Sequence, residues 1–236
     1  MSKPDPRLSA LTSALDRGGL TPVFQPILTM NGEHIGFEAL SRFSNGCPPD
    51  AVWAYAEKWQ VADELDNVAL EAAIAAAREL PGKLFLNISA AHLTKALLLA
   101  RFGSPDRIVW EVTETAVQTE AARRGVDWLK SKGYHVAMDD AGAGFSTEER
   151  LKWLRPHVVK LDRSIVQEFA LEGNRTLLEW IAHARQVKAL ILAEGVEDMD
   201  WLPDLSHHGV EAVQGYALGR PEKAQHWLNR PMLSSG

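Results

Sequence analysis

Eight short apolar runs recur along this chain with helical patterns between them, and that alternation limits the folds open to it more than any other feature. The runs begin at Val23, His34, Lys83, Ile108, His135, Val158, Ala189 and Ala212. Most are rich in β-branched residues and read as continuous apolar stretches, as strands buried on both faces do. The segment from Asp63 to Leu80 is Ala-rich and amphipathic, with Pro81-Gly82 as its stop. Thr115 to Lys132 carries Val117, Ala121, Val126 and Leu129, with Gly133 after it, and Gly173 to Lys188 repeats the pattern. Strands alternating with helices imply βαβ units and a mostly parallel sheet.

Eight strands in 236 residues favour closure into an α/β, (β/α)8 TIM-like barrel, for which roughly 250 residues is typical. The first two runs are joined only by Met30 to Glu33, too short for a parallel crossover. One antiparallel strand is therefore expected near the N-terminus. Residues 1–20 read as an N-terminal helix packing on the barrel, and residues 21–230 as the barrel itself.

Composition removes several function classes. The net charge of −6 disfavours a polymeric nucleic-acid binder, which needs excess Lys and Arg against phosphates. A single phosphate-bearing ligand remains open, because a bound divalent cation supplies positive charge locally. The lone Cys47 allows no intrachain disulfide and fits a reducing compartment. No apolar run approaches a membrane span, and the first twenty residues lack an apolar signal core. A cytoplasmic chain with no membrane contact from this segment is expected. The tryptophans read as packing residues, and Trp110 should face away from its neighbour Glu111.

The polar residues carry the chemistry. Glu38, Asn87, Glu111, Glu114, Asp139, Asp140, Lys160, Asp162, Glu194, Glu197 and Gln214 lie in or just past the later parts of seven runs. In a parallel barrel these ends converge on the face where active sites lie. Any one carboxylate there reads as readily as a helix N-cap or turn residue. Eight around one rim, with Lys160 and Arg42 as the cations of the set, repel one another unless protons or metal ions compensate them. Carboxylates plus one amide suit Mg2+ or Mn2+, and no zinc-like Cys/His spacing is present. Arg42 reads either as a phosphate-binding fork or as a surface arginine in a salt bridge.

The segments FQPI…GFEALSR (Phe24 to Arg42), FLNIS (from Phe85), WEVTET (from Trp110), MDDAGAGFS (from Met138), VKLD (from Val159), AEGVE (from Ala193) and QGYALGRP (from Gln214) resemble, in order, the motifs of EAL-type cyclic di-GMP phosphodiesterases. The resemblance runs from about Val23 to Pro221. It implies hydrolysis of cyclic di-GMP to linear pGpG by two-metal activation of water. By that resemblance, Glu38, Asn87, Glu111 and Asp139 hold one Mg2+ or Mn2+, and Asp139, Asp140 and Glu194 hold a second. Lys160 contacts the attacking water, and Glu194 serves as general base or metal ligand. Gln25 and Arg42 hold the ligand's phosphate and sugar edge. Asp162, Glu197 and Gln214 order waters and inner ligands, and Glu114 anchors the loop after the fifth strand. The resemblance also implies a homodimer formed near that loop and the helix after it. In that loop Ala141 stands for the family's usual aromatic residue and Ala143 for its threonine. The alternative is an EAL-like module that binds cyclic di-GMP with weak or no turnover.

Overall fold

A computed structural model describes residues 5–113, 119–142, 148–172 and 175–229. The strands are β1 (Leu20–Thr29), β2 (His34–Phe43), β3 (Lys83–Asn87), β4 (Ile108–Thr113), β5 (His135–Ala141), β6 (Val158–Leu161), β7 (Leu190–Ala193) and β8 (Ala212–Val213). They close in chain order into one eight-stranded barrel. The hairpin between β1 and β2 is pinned by Thr29 N–H donating to Glu33 C=O at 2.8 Å. All pairings from β2 to β8 are parallel, and β1 is antiparallel to both β2 and β8. A single reversed strand in a closed ring must reverse both of its pairings, so the hairpin has a second consequence at the seam.

That seam needs support, because β8 is only two residues long. The following chain stays pinned to β7 and its exit loop: Gln214 N–H donates to Ala193 C=O, and Val196 N–H to Gln214 C=O. It then crosses back to β1, where Phe24 and Glu222 exchange backbone bonds at 2.7 and 3.0 Å.

The helices are α1 (Pro6–Leu15), α2 (Pro49–Lys58), α3 (Ala62–Ala76), α4 (Ala90–Leu93), α5 (Glu120–Ser131), α6 (Glu148–Leu154), α7 (Arg163–Glu172), α8 (Arg175–Gln186), α9 (Leu202–His208) and α10 (Ala224–Leu228). Helix α3 stops four residues short of the expected Leu80. The carbonyl of Ala77 is instead taken by Leu80 N–H and by Arg107 Nη2. Helix α5 starts on a Thr119 cap whose side chain accepts from Ala122 N–H, and Gly133 follows in the left-handed conformation expected of a helix stop.

Two apolar layers surround the strands. The outer one joins strand residues such as Leu86, Trp110, Val136 and Ile191 to the helices, and Trp110 stands 6.1 Å from the Tyr134 ring as its outward orientation requires. The inner layer fills the barrel with one side chain from each of seven strands: Ile27, Phe85, Val109, Ala137, Val158, Leu192 and Ala212. On β2 the corresponding residue is Gly36, where a Cβ would lie 2.1 Å from the Lys83 carbonyl oxygen. A separate cluster of Leu11, Ala14, Phe43, Val52 and Leu65 fastens α1 to α2, α3 and the end of β2. Trp59 is 60% exposed and packs into no apolar cluster, whereas Trp53 packs on the cluster around α1 and the other tryptophans, such as Trp110 and Trp227, pack in the outer layer. Among the described residues, no helix is long and apolar enough to cross a membrane.

Candidate metal centre

Strand periodicity builds the site directly on the inner layer. Side chains two residues apart share a face. Stepping two residues from Phe85, Val109, Ala137, Val158, Leu192 and Ala212 reaches Asn87, Glu111, Asp139, Lys160, Glu194 and Gln214. On β2 the step from Gly36 reaches Glu38, and on the reversed β1 the step runs backward from Ile27 to Gln25. The register places Gln25 beside Glu38 and Asn87 beside Glu111. One polar layer thus caps the apolar plug at the C-terminal ends of the parallel strands.

Lys160 stands at the centre of that layer with no exposed surface. Its Nζ lies 2.6 Å from Glu111 Oε1, 2.8 Å from Glu194 Oε1, 2.9 Å from Asp139 Oδ1 and 3.4 Å from Glu38 Oε1. These are close approaches in distance only. Both Glu111 oxygens, Asp139 Oδ1 and Lys160 Nζ are buried without a hydrogen bond of acceptable geometry. One ammonium therefore faces four carboxylates and satisfies them poorly. Buried charge without a well-directed partner is costly.

The titration of these groups follows from that imbalance. Burial raises Glu111 well above the usual carboxylate range, and the charges of Glu38 and Asp139 add to it against the pull of Lys160. Burial likewise pushes Glu194 up to about 8. Asp140 rises to about 6, through loss of solvent and the neighbouring Asp139. Burial pulls Lys160 down, but Asp139, Glu111, Glu194 and Glu38 outweigh it and hold the ammonium well above an ordinary lysine. Without a further cation this cluster keeps protons that ordinary carboxylates would shed.

A break in β5 brings an extra carboxylate to the rim. The β5–β6 register shifts between Met138 and Ala141, and Asp140 takes φ +54°, a left-handed conformation that Asp tolerates better than most residues. Consecutive strand residues normally face opposite sides. Here Asp139 and Asp140 both reach Glu194, with one oxygen of each within 4.8 Å of the others. Glu38, Glu111 and Asp139 form a second such group, so Asp139 is common to both. Hard oxygen donors, shared orphaned oxygens and excess negative charge fit divalent cations of the Mg2+ or Mn2+ kind.

The surrounding residues divide in their placement. Asn87 Nδ2 donates to Glu38 Oε1 at 3.3 Å. Gln214 donates to both Gln25 and Glu38, while Gln25 Nε2 reaches the Gly219 carbonyl at 3.0 Å, so the two amides lock the β8–β1 seam onto a site carboxylate. Arg42 is exposed on the wall of a groove of about 910 Å3 that runs from Glu38, Asn87, Asp139 and Asp140 out toward α2 and α3. Its guanidinium donates to the Ser41 carbonyl and forms no carboxylate pair within 4 Å among the described residues. A smaller recess of about 260 Å3 joins Gln25, Glu194, Glu197, Gln214 and Tyr216 to the same rim. Glu197 is tied outward to Gln167 and Arg163. Asp162 lies outside both cavities and binds Ser164 N–H at the start of α7, a capping role. Glu114 and Ala143 lie outside the described residues. Ala141 is fully buried in the outer layer.

One buried network was missed from sequence. Asp66 on α3 accepts from Trp53 Nε1 at 2.7 Å and from Ser89 N–H at 3.1 Å, and His92 Nδ1 lies 3.3 Å away. It ties the groove wall at Trp53 to the loop that follows Asn87. The one available signal was an Asp at an apolar-face spacing, Leu65-Asp66 before Leu70, and Trp53 read only as packing.

The chain resembles known proteins over nearly the whole barrel. The family model described as "EAL domain" matches residues 8–221. The chain is 28% identical over 246 aligned positions to "Cyclic di-GMP phosphodiesterase RocR" of Pseudomonas aeruginosa, covering 95% of this chain and 63% of that protein. It is 29% identical to "Bifunctional diguanylate cyclase/cyclic di-GMP phosphodiesterase MucR" of the same organism, covering 94% and 36%. The chain thus spans about a third to two thirds of the length of these relatives. Among solved structures, "PaMucR Phosphodiesterase, c-di-GMP complex" superposes with a TM-score of 0.82 at 27% identity, covering 94% of this chain and all of that one. "Klebsiella pneumoniae BlrP1 pH 6 manganese/cy-diGMP complex" superposes at 0.73 and 26%, covering 87% and 56%. With the family model spanning nearly all of the barrel and the ordered carboxylate motifs gathered on one rim, this chain belongs to the EAL domain family.

Proposed function

We propose that the chain is a divalent-metal-dependent phosphodiesterase that opens cyclic di-GMP to linear pGpG. The observation that carries this reading is the set of buried carboxylates around Lys160 whose oxygens lack well-directed partners. Solved relatives described as complexes with cyclic di-GMP, one of them with manganese, support the substrate and the metal class. Glu38, Asn87, Glu111 and Asp139 would hold one ion, and Asp139, Asp140 and Glu194 a second. When bound, such ions neutralise phosphoryl charge and make water a stronger nucleophile.

The chain's own residues have distinct parts in that scheme. Lys160 keeps its proton and presents fixed positive charge at the centre of the layer, where negative charge grows in the transition state. Glu194 either receives the proton of the attacking water or serves as a metal ligand. Arg42 and Gln25 orient the phosphate and sugar edge, and the long groove beyond Arg42 accommodates the rest of the dinucleotide. Gln214 and Glu197 steady the inner ligands, Asp162 does so through the α7 cap, and Glu114 anchors the β5 loop. In the reaction the water oxygen bonds to phosphorus, one P–O3′ bond breaks, and the leaving oxygen takes up a proton. We take residues 21–230 as one catalytic unit braced by residues 1–20, acting in the cytoplasm as a homodimer through the β5 loop and α6.

Cyclic di-GMP incubated with the purified chain and Mn2+ should yield pGpG, and EDTA should stop it. No pGpG despite tight nucleotide binding would sink the enzyme reading. It would favour the second one, a cyclic di-GMP-binding module, which the departures at Ala141 and Ala143 recommend.

A further inference from the structure

At the opposite end of the barrel, the N-terminal ends of β5, β6, β7 and β8 border a solvent-open depression of about 680 Å3. Five side chains with ionisable groups line it: His135, His157, Arg185, Lys188 and Glu211. Four are basic, in a chain whose net charge is −6. They come from four different segments, so only closure of the barrel brings them together.

The bland explanation covers part of this cluster. Arg185 lies in the last turn of α8, where a cation complements the carbonyl end of the helix dipole. That argument does not place two imidazoles beside it. His135 opens β5 and His157 immediately precedes β6, and their rings stack 4.6 Å apart at 25°. His157 Nδ1 accepts from Val136 N–H at 3.1 Å, which leaves Nε2 as the donor of that ring. Burial lowers both histidines, with Lys83 acting further on His135 and Lys130 on His157, so further positive charge surrounds the pair.

The four basic side chains are exposed at the mouth of the depression and stand without counter-charge. Among the described residues, none of His135, His157, Arg185 and Lys188 has a carboxylate within 4 Å. Glu211 is close enough to line the same depression, yet its Oε2 is committed to Ile191 N–H at 3.1 Å. Arg185 makes one long bond, to the His208 carbonyl at 3.4 Å. Its guanidinium packs over Gly209, where a Cβ would lie 2.1 Å from Nη2.

We propose that this depression is a second ligand site, separate from the metal centre, and that it takes a small organic phosphate through Arg185, Lys188 and the imidazole pair. The depression is open to solvent and, at about 680 Å3, leaves room for more than a bare phosphate. A guanidinium fork and an ammonium are the usual partners of a phosphate group. The paired imidazoles supply a flat face and N–H donors for the rest of the ligand. His135 and Asp139 are four residues apart on β5, roughly 13 Å at strand rise, so one small ligand cannot reach both ends. The same strands nonetheless join the two sites: β5 carries both His135 and Asp139, and β6, entered directly after His157, carries Lys160.

Calorimetric titration of the whole chain with inorganic phosphate in EDTA tests the proposal, because the metal-free acidic rim repels anions. Saturable binding is expected, weakened by about tenfold or more in the double variant Arg185→Ala, Lys188→Ala. Both residues are exposed, so the thermal midpoint without phosphate should fall by no more than the small helix-end contribution of Arg185. Glu211→Gln keeps an oxygen for Ile191 N–H while removing the depression's one carboxylate, and it should tighten phosphate binding, an effect that mere damage to the fold cannot produce. Phosphatidate vesicles should fail to displace bound phosphate. Non-saturable binding, binding that survives the double variant, no tightening in Glu211→Gln, or displacement by vesicles would each overturn the assignment of a small soluble phosphate ligand.

Discussion

Glu111→Gln should make the metal-free protein more stable while depriving it of its stabilisation by metal. Glu111 has no exposed surface, neither oxygen is hydrogen-bonded, and Lys160 retains Glu38, Asp139 and Glu194 when it is neutralised. No orphaned cation is left behind, which is the usual reason such a change destabilises. The sign with pH follows from linkage. Folding raises the pKa of Glu111, so the folded state binds its proton more tightly than the unfolded chain does. The associated stability is present below the ordinary Glu range and is lost as pH rises toward the folded pKa. One such group loses up to about 1.4 kcal/mol per pH unit, or at most about 2.7 kcal/mol between pH 5.5 and 7.5. For a chain of 236 residues that is up to roughly 5–10 °C in Tm. Metal-free melts in EDTA should therefore nearly coincide for wild type and variant at acidic pH and separate toward pH 7.5, with the variant higher. Mn2+ at a hundredfold excess over Kd stabilises a binding-competent fold by about 2.7 kcal/mol, and the variant should lose most of that increment. A variant that melts below wild type at pH 7.5 in EDTA and keeps the full Mn2+ increment would refute the reasoning.

Four further outcomes are expected. Mn2+ binding at pH 7 should release about one proton or more, from Glu194 near 8 and from Glu111, with a smaller share from Asp140 near 6; calorimetry in two buffers of different ionisation enthalpy reads the number, and zero release would contradict the protonated resting site. Glu38→Ala should lower turnover of cyclic di-GMP by more than about a hundredfold, beyond the effect of outer partners of a metal ligand, and near-wild-type rate would remove Glu38 from the metal set. Lys160→Ala should lose turnover but keep substantial nucleotide affinity, whereas parallel collapse of both would reassign Lys160 to binding. Trp53→Phe removes the Nε1 donor to Asp66 and should cost about 1.5–3 kcal/mol in urea unfolding; no measurable loss would mean that Asp66 is held by Ser89 and His92 alone.

Much of the fold and half of the site were legible in the residues themselves. The eight apolar runs mark all eight strands, because a strand buried on both faces needs an uninterrupted apolar stretch and the chain between strands needs helical spacing. The turn at Met30 to Glu33 is too short for anything but a hairpin. The carboxylates of the rim were also readable, since a polar residue placed two positions past an interior apolar one stays on the same face of its strand. What a linear reading leaves open is every property that depends on a neighbour from elsewhere in the chain. Helix α3 ends early where Arg107 and Leu80 N–H take the carbonyl of its cap residue Ala77. Asp139 and Asp140 point together because β5 slips against β6. Lys160 is ringed by four carboxylates, and Asp66 and the His135–His157 pair gain their partners only when distant strands close the barrel. Periodicity is a local property of the backbone and was settled by the sequence alone. Charge compensation depends on which side chains share a few ångströms of low-dielectric space, and only the tertiary structure decided that.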